Sequence, residues 1–303
     1  MSNATPTDAF VVARLRAHVD RLAGLIGPRH AGNARALEAA VALIERELAA
    51  NGDSLERQTY PAGAIEAVNL IVERRGVRRP DEIVILGAHY DTVEGTPGAD
   101  DNASAIAVLI EVARLLHGRA FDRTIRFVAF ACEEPPHFYT QTMGSWMYAR
   151  RCRERNERLI GALVLEMVGY FRDEPGSQAL PPEIPRMLRP LFPRRGNFLA
   201  AVGNLRSWRL CWRFRTGFKR ATALPLFSIV LPAAVHSIRL SDNSSFWDEG
   251  YPALMLTDTS FLRNPHYHRA SDTPDTLDYE RMARVAHGVA GALARLAGLR
   301  PQA

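Results

Sequence analysis

Lysine is nearly absent from this chain. It occurs once, at Lys219, so almost all of the 38 basic side chains are arginines. Cysteine is scarce as well. Cys132, Cys152 and Cys211 are too few and too irregularly spaced for a disulfide framework or a zinc ribbon. No apolar run reaches the roughly 18 residues needed to cross a bilayer. No basic stretch followed by an apolar one opens the sequence, so no signal peptide is read in it. These absences favour a soluble protein of a reducing compartment, cytoplasmic by default, with no membrane partner. There is no internal repeat at solenoid periods and no low-complexity tract.

What remains is a globular profile. The 303 residues are 47% hydrophobic, ample for a large core. The net charge is +5 and the pI about 9.4. A basic balance can signal nucleic acid or a membrane surface. Here the arginines are scattered, apart from 78–79, 150–153 and 206–220. We read them as a composition bias carried on solvated helix faces, with no nucleic-acid partner.

Hydrophobic periodicity organises the chain. Residues 8–26 and 33–50 have helical spacing, the second ending at Gly52. Two β-like runs follow, "LERQTYPA" and "AVNLIVERRG". The continuous apolar run Ile83–Leu86 suits a strand buried on both faces. After it come a helix closed by Gly118, a strand in "RTIRFVAFACEE", a helix in "MGSWMYARRCRER" and a strand in "LIGALVLEMVG". Residues 171–197 break this rhythm with Pro and Arg and read as an irregular excursion. Order resumes with a strand at "FLAAVGN", a helix at "RSWRLCWRFRTGFKRA", strands near 225–230 and in "YPALMLTDT", and a last helix from about Asp278 to Leu299. The alternation predicts a single α/β domain with a mixed, mostly parallel central sheet and helices on both faces. Ligands of such sheets sit beyond the carboxyl ends of the strands.

Metal-ligating residue types collect at those ends. His89 and Asp91 follow one strand, Glu133 and Glu134 the next, Glu166 a third, and His266 and His268 the strand "ALMLTDT"; Asp101 stands at a helix start. Each has an ordinary alternative. Asp100, Asp101 and Asn102 before an apolar helix also read as an N-cap. Adjacent Glu133 and Glu134 are harder to place, because neighbouring buried carboxylates repel unless a cation or a shared proton relieves them. Glu166 lies in the apolar stretch "ALVLEMVGY", where a buried carboxylate needs a partner. A divalent cation relieves all of them together. Imidazole and carboxylate donors without thiolate suit Zn²⁺, with Mn²⁺ or Co²⁺ as alternatives. The excess of carboxylates suggests two ions sharing one bridging group.

The motifs "GAHYD", "GADDNAS", "ACEEPP", "LEMVGY" and "NPHYHRASDTPDTLD", in this order and spacing, resemble the M28 family of zinc aminopeptidases. The likeness covers most of residues 30–297 and implies a zinc-exopeptidase-like three-layer sandwich. It also implies roles. His89, Asp101, Glu134, Glu166 and His268 would hold the metal, with Asp101 bridging and followed by a cis peptide. Asp91 would orient His89, and Glu133 would be the general base. His268 is preferred over His266. Tyr267 is a candidate oxyanion donor, or else a packing residue. The implied substrate is a peptide with a free N-terminus, its pocket walled by residues 137–148, 171–197 and 236–247. A glutaminyl cyclase-like zinc acyltransferase and a catalytically silent binding module are the competing readings. Two positions depart from the family pattern: Ala105, where Gly is usual, and Asn243, where His is frequent. His18, His30, His117 and His287 are expected to be solvated, His137 and His236 are candidates to line the cleft, and Cys132 is read as a small buried residue. Oligomeric state is left open.

Overall fold

The computed structural model of the chain describes residues 6–50 and 52–300. Eight strands form one sheet: β1 (Ser54–Ala62), β2 (Ile65–Arg74), β3 (Arg79–His89), β4 (Arg123–Phe130), β5 (Arg158–Glu166), β6 (Leu199–Asn204), β7 (Leu226–Leu231) and β8 (Ala253–Thr257). Their order is β1-β2-β4-β3-β5-β8-β6-β7. The central strands β4, β3, β5 and β8 run parallel, as do β6 and β7. The β1–β2 hairpin and the β6–β8 pairing are antiparallel, and β2 is antiparallel to β4. The sheet is therefore mixed, with a parallel centre.

Helices cover both faces. They are α1 (Pro6–Val19), α2 (Ala34–Ala49), α3 (Ala105–Leu115), α4 (Gly144–Glu154), α5 (Trp208–Ala221), α6 (Asn243–Asp248) and α7 (Tyr279–Ala297). Strand side chains alternate between two cores, as the period of 2 requires. Val84, Leu86 and Ala88 of β3 enter the larger core with α1, α2, α3, α5 and α7. Ile83 and Ile85 enter the smaller one, beside Tyr148 of α4 and Phe246 of α6. Both faces being buried, the central strands read as unbroken apolar runs.

Helix ends follow local chemistry. The Asn33 side chain accepts the Ala36 N–H and caps α2, and Asp278 does the same for Arg281 at the start of α7. Gly298, left-handed at φ 74°, closes α7. The first predicted helix changes from α to π winding at Asp20 and runs on to Ile26. The short helix α6 was not anticipated. The 171–197 excursion contains no strand and one 3-10 turn, Arg186–Leu191.

One expectation fails outright. His18 is buried, 3% exposed, because both flanks of α1 are covered by α3 and α7. Burial lowers its pKa to about 4. The three cysteines are buried and free, and Cys132 is pushed well above the usual thiol range by burial and the nearby Asp91.

Candidate metal centre

The parallel strands β3, β4 and β5 end side by side, and their carboxyl ends deliver His89, Glu133, Glu134 and Glu166 to one buried place. Asp101 arrives from the loop between β3 and α3, and His268 from the segment after β8. Two donor trios result: His89, Glu133 and Glu166, and Asp101, Glu134 and His268. Asp101 lies between them. Its Oδ1 is 3.5 Å from His89 Nε2 and its Oδ2 is 3.1 Å from His268 Nε2. Glu166 Oε2 is 3.3 Å from His89 Nε2, Glu133 Oε2 is 3.8 Å away, and Glu134 Oε1 is 3.2 Å from His268 Nε2. His266 is in neither trio; its Nδ1 meets Ser271 Oγ at 3.0 Å.

These donors suit a cation. His89 Nε2 and Asp101 Oδ1 are buried without a hydrogen-bond partner, an arrangement that is costly unless something binds there. Burial and repulsion between carboxylates oppose ionisation of Glu133 and Glu134. Burial pushes Glu133 well above the carboxylate range, reinforced by Glu134 and Glu166. Burial and Asp101 push Glu134 up to about 8. Burial alone would lower His268, but its bonds to Asp101 and Glu134 outweigh this and carry it to about 10.

The loop carrying Asp101 is shaped by its backbone. The Asp101–Asn102 peptide is cis. Gly98 is left-handed at φ 63°, and a Cβ there would collide with the Asp101 carbonyl and the Thr92 side chain. The Asn102 side chain ties the loop to β5, accepting the Met167 N–H at 3.0 Å and donating to Leu165 O at 3.2 Å. Ala105 is fully buried as the first residue of α3, so the helix forms with Ala in place of Gly. Asn243 is buried and its side-chain amide donates to Ile238 O at 3.0 Å.

Asp91 lies against the ring of His89. His89 Nδ1 lies 3.2 Å from the Asp91 backbone carbonyl and 3.5 Å from its carboxylate. The carboxylate also accepts the N–H groups of Glu133 and Glu134, each at 3.0 Å, and so ties the β3 end to the β4 end. Tyr267 stacks on His268 with ring centroids 3.7 Å apart and lines the cavity beside the donors.

Three contributors were not read from the sequence. Asp272 accepts the N–H groups of Asp100 and Asp101 at 2.9 and 3.1 Å. The Ser241 hydroxyl donates to Glu166 Oε2 at 2.6 Å. Arg29, fully buried, donates to the carbonyls of Tyr90, Leu22, Gly27, Pro97 and Gly98 at 2.8–3.0 Å. Burial lowers its pKa to about 10, so it stays cationic at neutral pH, beneath Asp91, Asp272 and Asp101. An arginine next to His30 in a Gly-Pro turn carries no sequence signal for this task.

A cavity of about 230 Å³ opens beside the donors. Its walls include Phe138, Leu180, Phe192, Phe227, Ile238 and Met255, drawn from β7, β8, the 171–197 excursion and the segments around 138 and 238. Of the two histidines considered for the cleft, His137 is buried against Thr142, and His236 lies near Tyr139 with neither ring in the cavity wall.

The sequence model of peptidase family M28 matches residues 69–293. The chain belongs to this family. Among similar sequences, the uncharacterized protein YfbL of Escherichia coli K12 is 35% identical over 284 residues, covering 91% of this chain and 85% of YfbL. Leucine aminopeptidase 1 of Trichophyton equinum is 27% identical over 234 residues, 72% of this chain and 56% of that protein. The chain thus matches only about half the length of the fungal enzyme. The fold matches BSAP, a zinc aminopeptidase from Bacillus subtilis, with a TM-score of 0.71 at 16% identity and 95% coverage of both chains. It also matches a Fimbriiglobus ruber glutaminyl cyclase, with a TM-score of 0.65 at 19% identity and 96% coverage of both. The M28 family and its α/β architecture are thereby those expected from the five motifs.

Proposed function

We propose that this M28 member is a metal-dependent aminopeptidase that removes bulky apolar residues from peptide N-termini. The observation carrying this reading is the pair of donor trios with Asp101 reaching towards His89 between them, beside an apolar cavity. His89, Glu166 and Asp101 would hold one ion and Asp101, Glu134 and His268 a second, with zinc favoured by the imidazole–carboxylate set and by the named zinc aminopeptidase among the structural neighbours. Bound there, a divalent ion supplies Lewis acidity and lowers the pKa of water to about 7.

The chain's own residues do the rest. Glu133, whose carboxylate lies in the buried cluster 3.8 Å from His89 Nε2, takes a proton from the attacking water. It then gives that proton to the departing amine. Tyr267, fixed by its stacking on His268, donates to the oxygen on which charge develops. Asp91 holds Glu133 and Glu134 in register with β3 through their backbone N–H groups. The acidic donor set attracts a free α-ammonium group, which selects N-termini. The apolar cavity receives the first side chain. It exceeds an engineered 150 Å³ cavity that holds benzene, so a phenyl or isobutyl group is accommodated.

Hydrolysis of leucyl and phenylalanyl chromogenic amides tests the reading, with and without chelator. Glu133→Ala is expected to abolish turnover while retaining bound metal. Activity indifferent to both chelation and Glu133→Ala would refute it. The structural likeness to a glutaminyl cyclase supports a second reading, cyclisation of N-terminal glutamine at one ion. Ammonia release from glutaminyl peptides with a stoichiometry of one metal per chain would establish it instead.

A further inference from the structure

Charge is segregated along this chain. Residues 184–241 contain 11 of the 38 Lys and Arg residues and none of the 33 Asp and Glu residues. The rest of the chain therefore carries 27 basic against 33 acidic side chains, and the positive net charge resides entirely in this segment. The structure places the segment around the β7 edge of the sheet, with α5 packed on one face of β6 and β7 and the 186–191 turn lying over the other.

On α5 the inner side is spent on the core. Leu210, Cys211, Phe214 and Phe218 are buried, and Gly217 closes on Ala292 of α7. The outer side displays Arg206, Arg209, Arg213, Arg215, Lys219 and Arg220, all exposed. None of the six forms an ion pair among the described residues, unlike Arg79, Arg151 and Arg281 elsewhere on the chain. Set among these cations are Trp208 and Trp212, one helical turn apart and 55% and 60% exposed, with Leu205 before them at 56%. Across the edge strand, Met187, Leu188 and Leu191 are exposed beside Arg186 and Arg189.

We propose that the outer face of α5 is a peripheral docking surface for an anionic lipid membrane. Unpaired cations facing solvent complement the negative potential of an anionic leaflet. Adjacent exposed tryptophans have the amphipathic rings that settle at the headgroup level. A helix with one face in the core and a cationic, aromatic outer face lies in the plane of the interface rather than across it. That is consistent with the absence of any helix long and apolar enough to span a bilayer among the described residues. The exposed aliphatic side chain of Leu205 beside the two tryptophans favours acyl chains over nucleic-acid bases. The arginines of 206–220, read from sequence as merely solvated, thus acquire a partner, independently of the proposed peptidase activity.

Flotation of the intact protein with phosphatidylcholine vesicles, with and without about a third phosphatidylglycerol, tests this. Binding is expected only with the anionic lipid, weakening with salt, and accompanied by a blue shift of tryptophan emission. The triple variant Arg209→Glu, Arg213→Glu, Arg220→Glu should lower partitioning by about 100-fold or more, from the loss of three cations at the surface. Trp208→Ser with Trp212→Ser should lose the blue shift. Both variants alter exposed positions, and thermal melts matching the parent would verify their folding. Absence of binding to anionic vesicles at low salt, equal binding by the triple variant, or binding to a polyuridine oligonucleotide without binding to vesicles would each overturn the proposal.

Discussion

Arg29 should be the residue outside the donor set on which the metal centre most depends. Its guanidinium links the turn after α1, through Leu22 and Gly27, to both ends of the metal loop, at Tyr90 and at Pro97 and Gly98. Arg29→Met keeps much of the side-chain volume and deletes all five bonds. The Leu22 and Gly98 carbonyls retain second donors in Gly27 N and Ala103 N, and removing the charge also removes its desolvation cost. Against that, Asp91, Asp101 and Asp272 lose the buried cation beneath them. Breaking a buried charged network of this kind costs about 3–5 kcal/mol. At roughly 1.6 °C per kcal/mol for a chain of this length, the melting temperature should fall by about 5–8 °C. Differential scanning calorimetry, together with zinc titration, reads both consequences: lower stability and weaker metal binding. Arg29→Lys keeps the charge but has three donors in place of a planar fork, so it should fall between the parent and Arg29→Met. A methionine variant melting within about 2 °C of the parent, with unchanged zinc affinity, would refute the assignment.

Other outcomes follow from the same structure. Ala200→Phe, on the cavity side of β6, should lower kcat/KM for phenylalanyl amides by about 10-fold or more while alanyl amides lose less. Metal at 1,000 times its Kd should stabilise the fold by about 4 kcal/mol, so a chelator should lower the melting temperature; identical melts with and without chelator would argue against the site. His18 titrates near 4 in the folded chain against about 6.5 unfolded. The unfolded state therefore takes the proton first, and stability is lost as pH falls from about 6.5 towards 4, by at most about 3 kcal/mol. Urea melts of His18→Leu should lack that part of the acid sensitivity. Asp272→Asn leaves every donor in place but weakens acceptance of the Asp100 and Asp101 N–H groups, so zinc affinity should fall by about 10-fold or more.

The candidate donors were legible in the sequence because a parallel sheet concentrates ligand-binding residues at strand ends. His89 and Glu166 are the last residues of β3 and β5, and Glu133 and Glu134 follow β4 closely. Apolar runs located those strands, and carboxylates without counter-charges stood out against them. The supporting residues were hidden for the opposite reason. Arg29, Ser241 and Asp272 meet the site only through long-range packing, and each is an ordinary turn or loop residue in its local context. Asp91 was found, but its carboxylate faces backbone N–H groups 42 and 43 positions away, which local spacing does not reveal. His18 was misjudged because a helix covered on two sides has no single polar face for a histidine to occupy.

The Asp272 carboxylate joins backbone groups 171 and 172 positions earlier. A chain emerging from the ribosome has made His89, Asp101, Glu133, Glu134 and Glu166 long before it makes His268 and this brace. The second donor trio is therefore incomplete until almost nine-tenths of the 303 residues have been synthesised. Under the proposed function, a nascent fragment has no finished hydrolytic centre until His268 has been added.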